Sequence, residues 1–203
     1  MAKSNNSEID IAVIDYNAGN VRSVLYALER LGIAATLTAD PKRIAAADKV
    51  IFPGVGEAAG TMRHLRERGL DEVIKSLTQP VLGICLGMQL LCAHSEEGDT
   101  TCLGLIPQQV LRFRPESGEK VPHTGWNTIG QLKSDLFSPD LEDQYVYFVH
   151  SYYVEPGPYT IAITDYIQPF SAAVQKDNFY ATQFHPEKSA QAGARILQHF
   201  IDL

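Results

Sequence analysis

Long apolar runs are missing from this chain. None approaches the roughly 20 residues that a membrane-spanning helix requires, so no membrane partner is expected. Cysteine is scarce: Cys85, Cys92 and Cys102 are the only three in 203 residues and make no disulfide framework. Positive charge is in deficit, with 17 Lys and Arg against 24 Asp and Glu and a formal net charge of −7. A large non-specific nucleic-acid surface would need the reverse balance, and no nucleic-acid partner is expected. The opening MAKSNNSEID lacks the apolar core of a secretory signal. Internal repeats, low-complexity tracts and linker-like stretches are wanting too. The expectation is a cytoplasmic, single-domain protein over residues 1–203, with about residues 1–8 flexible.

What is present is an ordinary globular composition, 45% hydrophobic and 20% charged, arranged as alternating strands and helices. Ile9 to Tyr16 reads as a buried, β-branched strand. Asn17 to Asn20 follows as a turn in which Asn20 can cap a helix. Apolar residues at Val21, Val24, Leu25, Leu28 and Leu31 form a helical stripe that Gly32 ends. Strands are expected at Ala34 to Thr38 and Lys49 to Phe52, and an interrupted helix at Met62 to Leu77. This alternation predicts an α/β fold with a central, mainly parallel or mixed sheet flanked by helices. The second half departs from it. Strand-like runs at Val110 to Phe113, Tyr145 to Val149, Thr160 to Thr164, Ala172 to Gln175 and Phe179 to Phe184 predict antiparallel additions, before a helix from Gln191 to Ile201.

Pro80 to Leu91, PVLGICLGMQLL, joins a short apolar run, Val81 to Ile84, to a helix start at Met88 to Leu91 that is expected to continue onward. Between them, Gly83-Ile84-Cys85-Leu86-Gly87 has the spacing of a nucleophile elbow, a tight strand-to-helix turn that strains its central residue. Glycine at both flanks leaves room where Cβ atoms would collide, and a helix N-terminus behind the sulfur favours a thiolate. Taken alone, the pattern fits a buried cysteine between packing glycines equally well. A hundred positions later, Tyr180 to Ser189 carries His185-Pro186-Glu187 after another strand-like run. In extended chain His185 and Glu187 point to one side, so Cys85, His185 and Glu187 at strand ends can form a nucleophile, a base and its orienting carboxylate.

The glycine-rich Pro53-Gly54-Val55-Gly56 lacks the Lys-Ser/Thr of a P-loop and the G-x-G-x-x-G spacing, and can instead present backbone N–H groups to an oxyanion. Cys92-x-His94 with Cys102 matches no common zinc ligand set, and no metal is expected. His150 lacks the His-x-Glu partner that His185 has. His64, His94, His123 and His199 carry no assigned chemistry.

The motifs GICLGMQ and HPE together resemble the class I, triad-type glutamine amidotransferases. DYNAGNVRSV, FPGVGEA, HTGWN, YFVHSYY and FHPEKS narrow the likeness to the glutaminase subunits of imidazole glycerol phosphate synthase, of histidine biosynthesis. The resemblance implies a flavodoxin-like sheet and hydrolysis of L-glutamine through a cysteinyl thioester, with no cofactor. It makes Cys85, His185 and Glu187 catalytic and gives the oxyanion hole to Gly54, Val55 and Leu86. Gly56, Gln89, Glu97, Ser151 and Tyr152 would surround the glutamine, while Trp126 and Lys188 would face the partner. That partner would be a (β/α)8-barrel cyclase subunit, in a heterodimer, which uses the ammonia to make imidazole glycerol phosphate and an aminoimidazole carboxamide ribotide. Two rivals are a glutaminase subunit of a pyridoxal phosphate or anthranilate system, and a partner regulator that has lost turnover. HTGWN, YFVHSYY and Lys188-Ser189 weigh against the first, and the intact Cys, His and Glu set against the second.

Overall fold

The computed structural model describes residues 9–16, 21–116 and 118–203. The expected flexible start and the Asn17 to Asn20 turn lie outside the described residues. In chain order the elements are β1 (Ile11–Ile14), α1 (Val21–Arg30), β2 (Ala35–Thr38), α2 (Pro41–Ala46), β3 (Lys49–Gly54), α3 (Ala58–Glu67), α4 (Leu70–Lys75), β4 (Val81–Cys85) and α5 (Leu86–Leu91). There follow β5 (Cys92–Ser95), β6 (Thr100–Thr101), β7 (Ile106–Arg112), β8 (His123–Thr128), β9 (Tyr145–His150), β10 (Tyr152–Val154), β11 (Thr160–Asp165), β12 (Pro169–Lys176), β13 (Phe179–Thr182) and α6 (Ala190–Asp202).

Seven strands make the main sheet, in the order β11-β12-β13-β4-β3-β1-β2. From β13 to β2 neighbours run parallel, and β12 and β11 add antiparallel at the other edge. The mixed sheet with flanking helices is the expected architecture. Both faces are buried, which is why β1 reads as continuous apolar chain: Ile11 and Val13 join one core, Ala12 and Ile14 the other. α1 and α6 cover the first face with Val24, Leu28, Ile196 and Phe200. Ile44 of α2, Met62 and Leu65 of α3 and Ile74 of α4 cover the second.

Strand order fixes where chemistry can occur. β4 lies between β3 and β13, with Gly54 opposite Cys85 on one side and Thr182 opposite Ile84 on the other. Three consecutive parallel strands therefore release their chains at one carboxyl edge, where open α/β sheets place their sites. A second sheet, β10-β7-β5-β6, and the hairpin-like pair β8–β9 complete the molecule.

Several elements differ from expectation. The helix after the elbow does not continue: α5 has six residues, and Cys92 already begins β5. All six of its residues are buried, so their sequence carries no helical stripe to mark its length. A helix this short also aligns fewer peptide dipoles behind the sulfur than the longer one expected. β7 starts at Ile106 rather than Val110, and α2, β5, β6, β8 and β10 were not expected as elements. β13 ends at Thr182, two residues before Phe184.

Candidate active site

Cys85 sits at φ +53° and ψ −107°, a strained conformation for a residue with a Cβ, at the seam of β4 and α5. The flanking glycines explain how the turn closes. A Cβ on Gly87 would lie 2.0 Å from the Phe52 carbonyl oxygen, and one on Gly83 would meet Leu91 at 2.9 Å. Side chains there would push α5 off β3 and β4. The turn thus leaves the Cys85 side chain at the carboxyl edge, 7% exposed, on the wall of a cavity of about 300 Å³.

His185 reaches that cavity from the neighbouring strand end. Its backbone N–H donates to the Tyr147 carbonyl at 2.9 Å, which ties it to β9. The chain then turns: Pro186–Lys188 is one 3-10 turn rather than extended strand. That turn, and not strand alternation, swings Glu187 back onto His185. Ser189 Oγ fixes it by donating to the His185 carbonyl at 2.6 Å while accepting from the Tyr147 N–H at 2.9 Å.

His185 Nδ1 donates to Glu187 Oε1 at 2.8 Å, because a carboxylate can only accept. Nε2 is buried and has no hydrogen-bond partner among the described residues, so it is the ring atom left for the cavity. Burial works against a charge on His185, but the adjacent Cys85 sulfur and then Glu187 outweigh it and raise its pKa to about 10. Such a pair can take a proton from sulfur and hold it for a leaving group.

The other expected residues divide between two places. Val55, Gly56, Leu86, Gln89, Glu97, Ser151 and Tyr152 all line the same cavity as Cys85 and His185. Gly54 does not. It is paired in the ladder with Cys85, and a Cβ there would approach Tyr16, Gly87 and Leu86 within 3.0 Å, so its small size serves packing. Tyr16 donates to the Pro53 carbonyl at 2.5 Å and holds the start of this loop. Glu97 Oε2 accepts from the Ala58 N–H at 2.8 Å; burial, followed by that bond's opposing pull and the charge of Glu57, raises its pKa overall. Gln89 spends both its N–H groups on protein acceptors, Tyr152 O at 3.1 Å and Gln183 Oε1 at 3.0 Å. Only its oxygen remains to receive a donor from a ligand.

Trp126 and Lys188 lie elsewhere, with Glu187, around a second cavity of about 460 Å³. Trp126 is 51% exposed, so it is no core anchor. Its ring meets Tyr147 edge-on at 6.0 Å, and Lys188 Nζ stands 5.9 Å from the same Tyr147 ring. Glu187 thus borders the surface cavity while its Oε1 serves His185 inside.

Two features escaped the sequence. Gln183, fully buried, points its Nε2 at Cys85 Sγ, 3.7 Å away. His123 and His150 form a buried chain: His150 Nδ1 donates to Tyr152 O at 2.8 Å, which leaves Nε2 to accept from His123 Nδ1 at 3.1 Å. Burial lowers the pKa of His123 to about 4 and, with smaller contributions from its neighbours, that of His150 to about 3. His150, the alternative base, is therefore a neutral link. Cys92 and Cys102 are buried away from the cavity, their thiols donating to the Met88 and Thr100 carbonyls. His94 pairs with Asp99 at 2.9 Å, and His199 Nδ1 lies 3.2 Å from the Leu136 carbonyl.

The glutamine amidotransferase class-I family pattern matches residues 12–203 of the chain. Imidazole glycerol phosphate synthase subunit HisH of Bacteroides fragilis is 64% identical over 194 residues, covering 95% of this chain and 99% of that protein. The subunit of the same name from Idiomarina loihiensis is 47% identical over 195 residues, covering 96% and 98%. Among solved structures, one described as a glutamine amidotransferase has a TM-score of 0.72 at 18% identity, covering 94% of this chain and 97% of that one. A glutamine amidotransferase from Thermotoga maritima has a TM-score of 0.62 at 18% identity, covering 96% and 83%. At these identities the two structures establish a shared fold alone.

Proposed function

The chain belongs to the class I glutamine amidotransferase family, and from that premise we infer that it is the glutaminase subunit of an imidazole glycerol phosphate synthase, serving histidine biosynthesis. It hydrolyses glutamine to glutamate and ammonia, and a subunit of a synthase has a partner that uses the ammonia. We propose that this partner is a (β/α)8-barrel cyclase, that the two form a heterodimer, and that they work in the cytoplasm. Among the described residues, no helix is long and apolar enough to cross a membrane.

One observation supports the catalytic assignment above the rest: His185, held from behind by the buried Glu187, and a cysteine at positive φ line one cavity. In the proposed cycle the Cys85 thiol proton already rests on His185 Nε2, and Sγ attacks the carboxamide carbon of glutamine. The C–N bond breaks as His185 returns that proton to the departing nitrogen, which leaves as ammonia. Water then attacks the thioester, His185 takes and keeps its proton, and glutamate leaves the sulfur. Glu187 keeps Nδ1 protonated and favours the imidazolium.

Backbone N–H groups of Val55 and Leu86 are assigned to the oxyanion. Leu86 opens α5, so its N–H has no partner within the helix. Gly54 supports the loop from the ladder. Gly56, Gln89, Glu97, Ser151 and Tyr152 enclose the substrate, with the Glu97 carboxylate toward the ammonium. Trp126 and Lys188, beside the second cavity, are assigned to the partner surface. The test is nitrogen transfer: glutamine labelled with ¹⁵N in its amide, given to this chain with the cyclase and its nucleotide substrate. Label in the imidazole product is expected. Label only in free ammonium, with no product, would reject the synthase assignment.

A further inference from the structure

The hydrogen bonds behind Cys85 have a direction, and one carbonyl sets it. Tyr152 O can only accept. Gln89 Nε2 lies 3.1 Å from it, so the Gln89 amide must turn its nitrogen that way. The second N–H of the same group then meets Gln183 Oε1 at 3.0 Å. With its oxygen so engaged, Gln183 presents its own nitrogen to Cys85 Sγ at 3.7 Å. Flipping Gln183 would set two donor groups against each other and aim an oxygen at the sulfur. Its side chain is sealed from solvent, so water cannot replace the missing bond.

We infer that Gln183 is a positioning residue for the nucleophile: its carboxamide N–H holds the sulfur in place and steadies the negative charge left when the thiol proton moves to His185. The sulfur's other described hydrogen-bond contact is the Val149 carbonyl at 3.8 Å, which accepts from S–H and offers nothing to a thiolate. Tyr16, which also feels the sulfur, is kept neutral by burial, and His150, on the same cavity wall, is in the neutral relay, so neither adds charge there. Through Gln89, which lines the cavity, the same two-amide link joins the nucleophile to the wall that contacts substrate.

The inference rests on Cys85 being the nucleophile, and the test separates the two. Alkylation of Cys85 by iodoacetamide is followed by mass spectrometry from about pH 6 to about pH 10 in the parent, Gln183→Met and Gln183→Glu, with circular dichroism as the check on folding. Methionine keeps the volume but has no donor. Glutamate keeps an acceptor for Gln89 and sets an anionic oxygen at the sulfur. Near neutral pH, Gln183→Met is expected to react about tenfold more slowly than the parent and Gln183→Glu more slowly still, with both gaps closing at high pH. Folded variants whose rates run parallel to the parent at every pH would overturn the inference. In the unaltered protein, the Gln183 side-chain amide proton shifts should move with pH in step with Cys85 reactivity. Shifts that stay flat would overturn it without any Gln183 variant. If instead Cys85→Ser retained glutamine turnover, the assignment of the nucleophile itself would have failed, whatever Gln183 does.

Discussion

Glu187 Oε1 lies 2.8 Å from His185 Nδ1, and each side chain is only 1% exposed. The pair is dry, and the carboxylate has one use inside the protein. Its second oxygen is buried with no hydrogen-bond partner among the described residues, so its charge is left to act on the imidazole.

Glu187→Gln keeps shape and an acceptor for Nδ1 but removes the charge. The expected loss of glutamine turnover is about tenfold to a hundredfold, milder than for His185→Ala, where the proposed base and acid would vanish together at a cost of about 10²–10⁴-fold. His150→Asn should retain more activity than His185→Ala. Steady-state glutamate release decides it: a silent Glu187→Gln with a dead His150→Asn would mean that the base is His150.

His185 also makes stability depend on alkaline pH. Its ordinary value is 6.5, and the fold raises it to about 10. The stabilisation is therefore complete below about pH 6.5 and is lost as pH climbs through about 10. Imidazole NMR on the folded protein should find this ring still protonated at pH 8, and titrating lower in Cys85→Ser, since the sulfur is the first of the influences raising it. A ring titrating near 6.5 in the parent would contradict the arrangement.

The histidine relay acts on the acid side, with the opposite sign. His123 and His150 fall from 6.5 to about 4 and about 3 on folding. Their contribution is present above about pH 6.5 and is lost as pH falls toward 3. His123→Phe keeps a ring against Phe148 and Tyr166 but deprives His150 Nε2 of its donor. It should cost about 1–3 kcal/mol at neutral pH and flatten the acid loss. Urea unfolding between about pH 3 and pH 7 reads both, and an unchanged acid slope would exclude His123 from the titration.

How much of this was legible varied with the distance over which each contact is made. The elbow was legible because five consecutive residues encode it: Gly83, Cys85 and Gly87 each meet a local steric demand. His185 and Glu187 were legible as a pair, although a 3-10 turn brings them together and not strand alternation. Gln183 was not, since a lone amide between Thr182 and Phe184 looks like any polar strand residue until β13 is laid beside β4. Nor was the His123–His150 chain, which exists only because β8 and β9 pair with those two residues opposite each other. The brevity of α5 was hidden by the burial of all its residues, and Gly54 looked functional because steric need and substrate contact favour the same residue.

The most direct measurement is made on Cys85→Ser in complex with the cyclase, supplied first with glutamine and then with an ammonium salt. Oxygen at this position is a far weaker nucleophile than sulfur paired with His185, while the acceptor chemistry belongs to the partner. Glutamine-dependent synthesis should fall to background and ammonia-dependent synthesis should continue at the parent's rate. Glutamine-dependent synthesis that persists in the folded variant would contradict the assignment of Cys85 as the nucleophile.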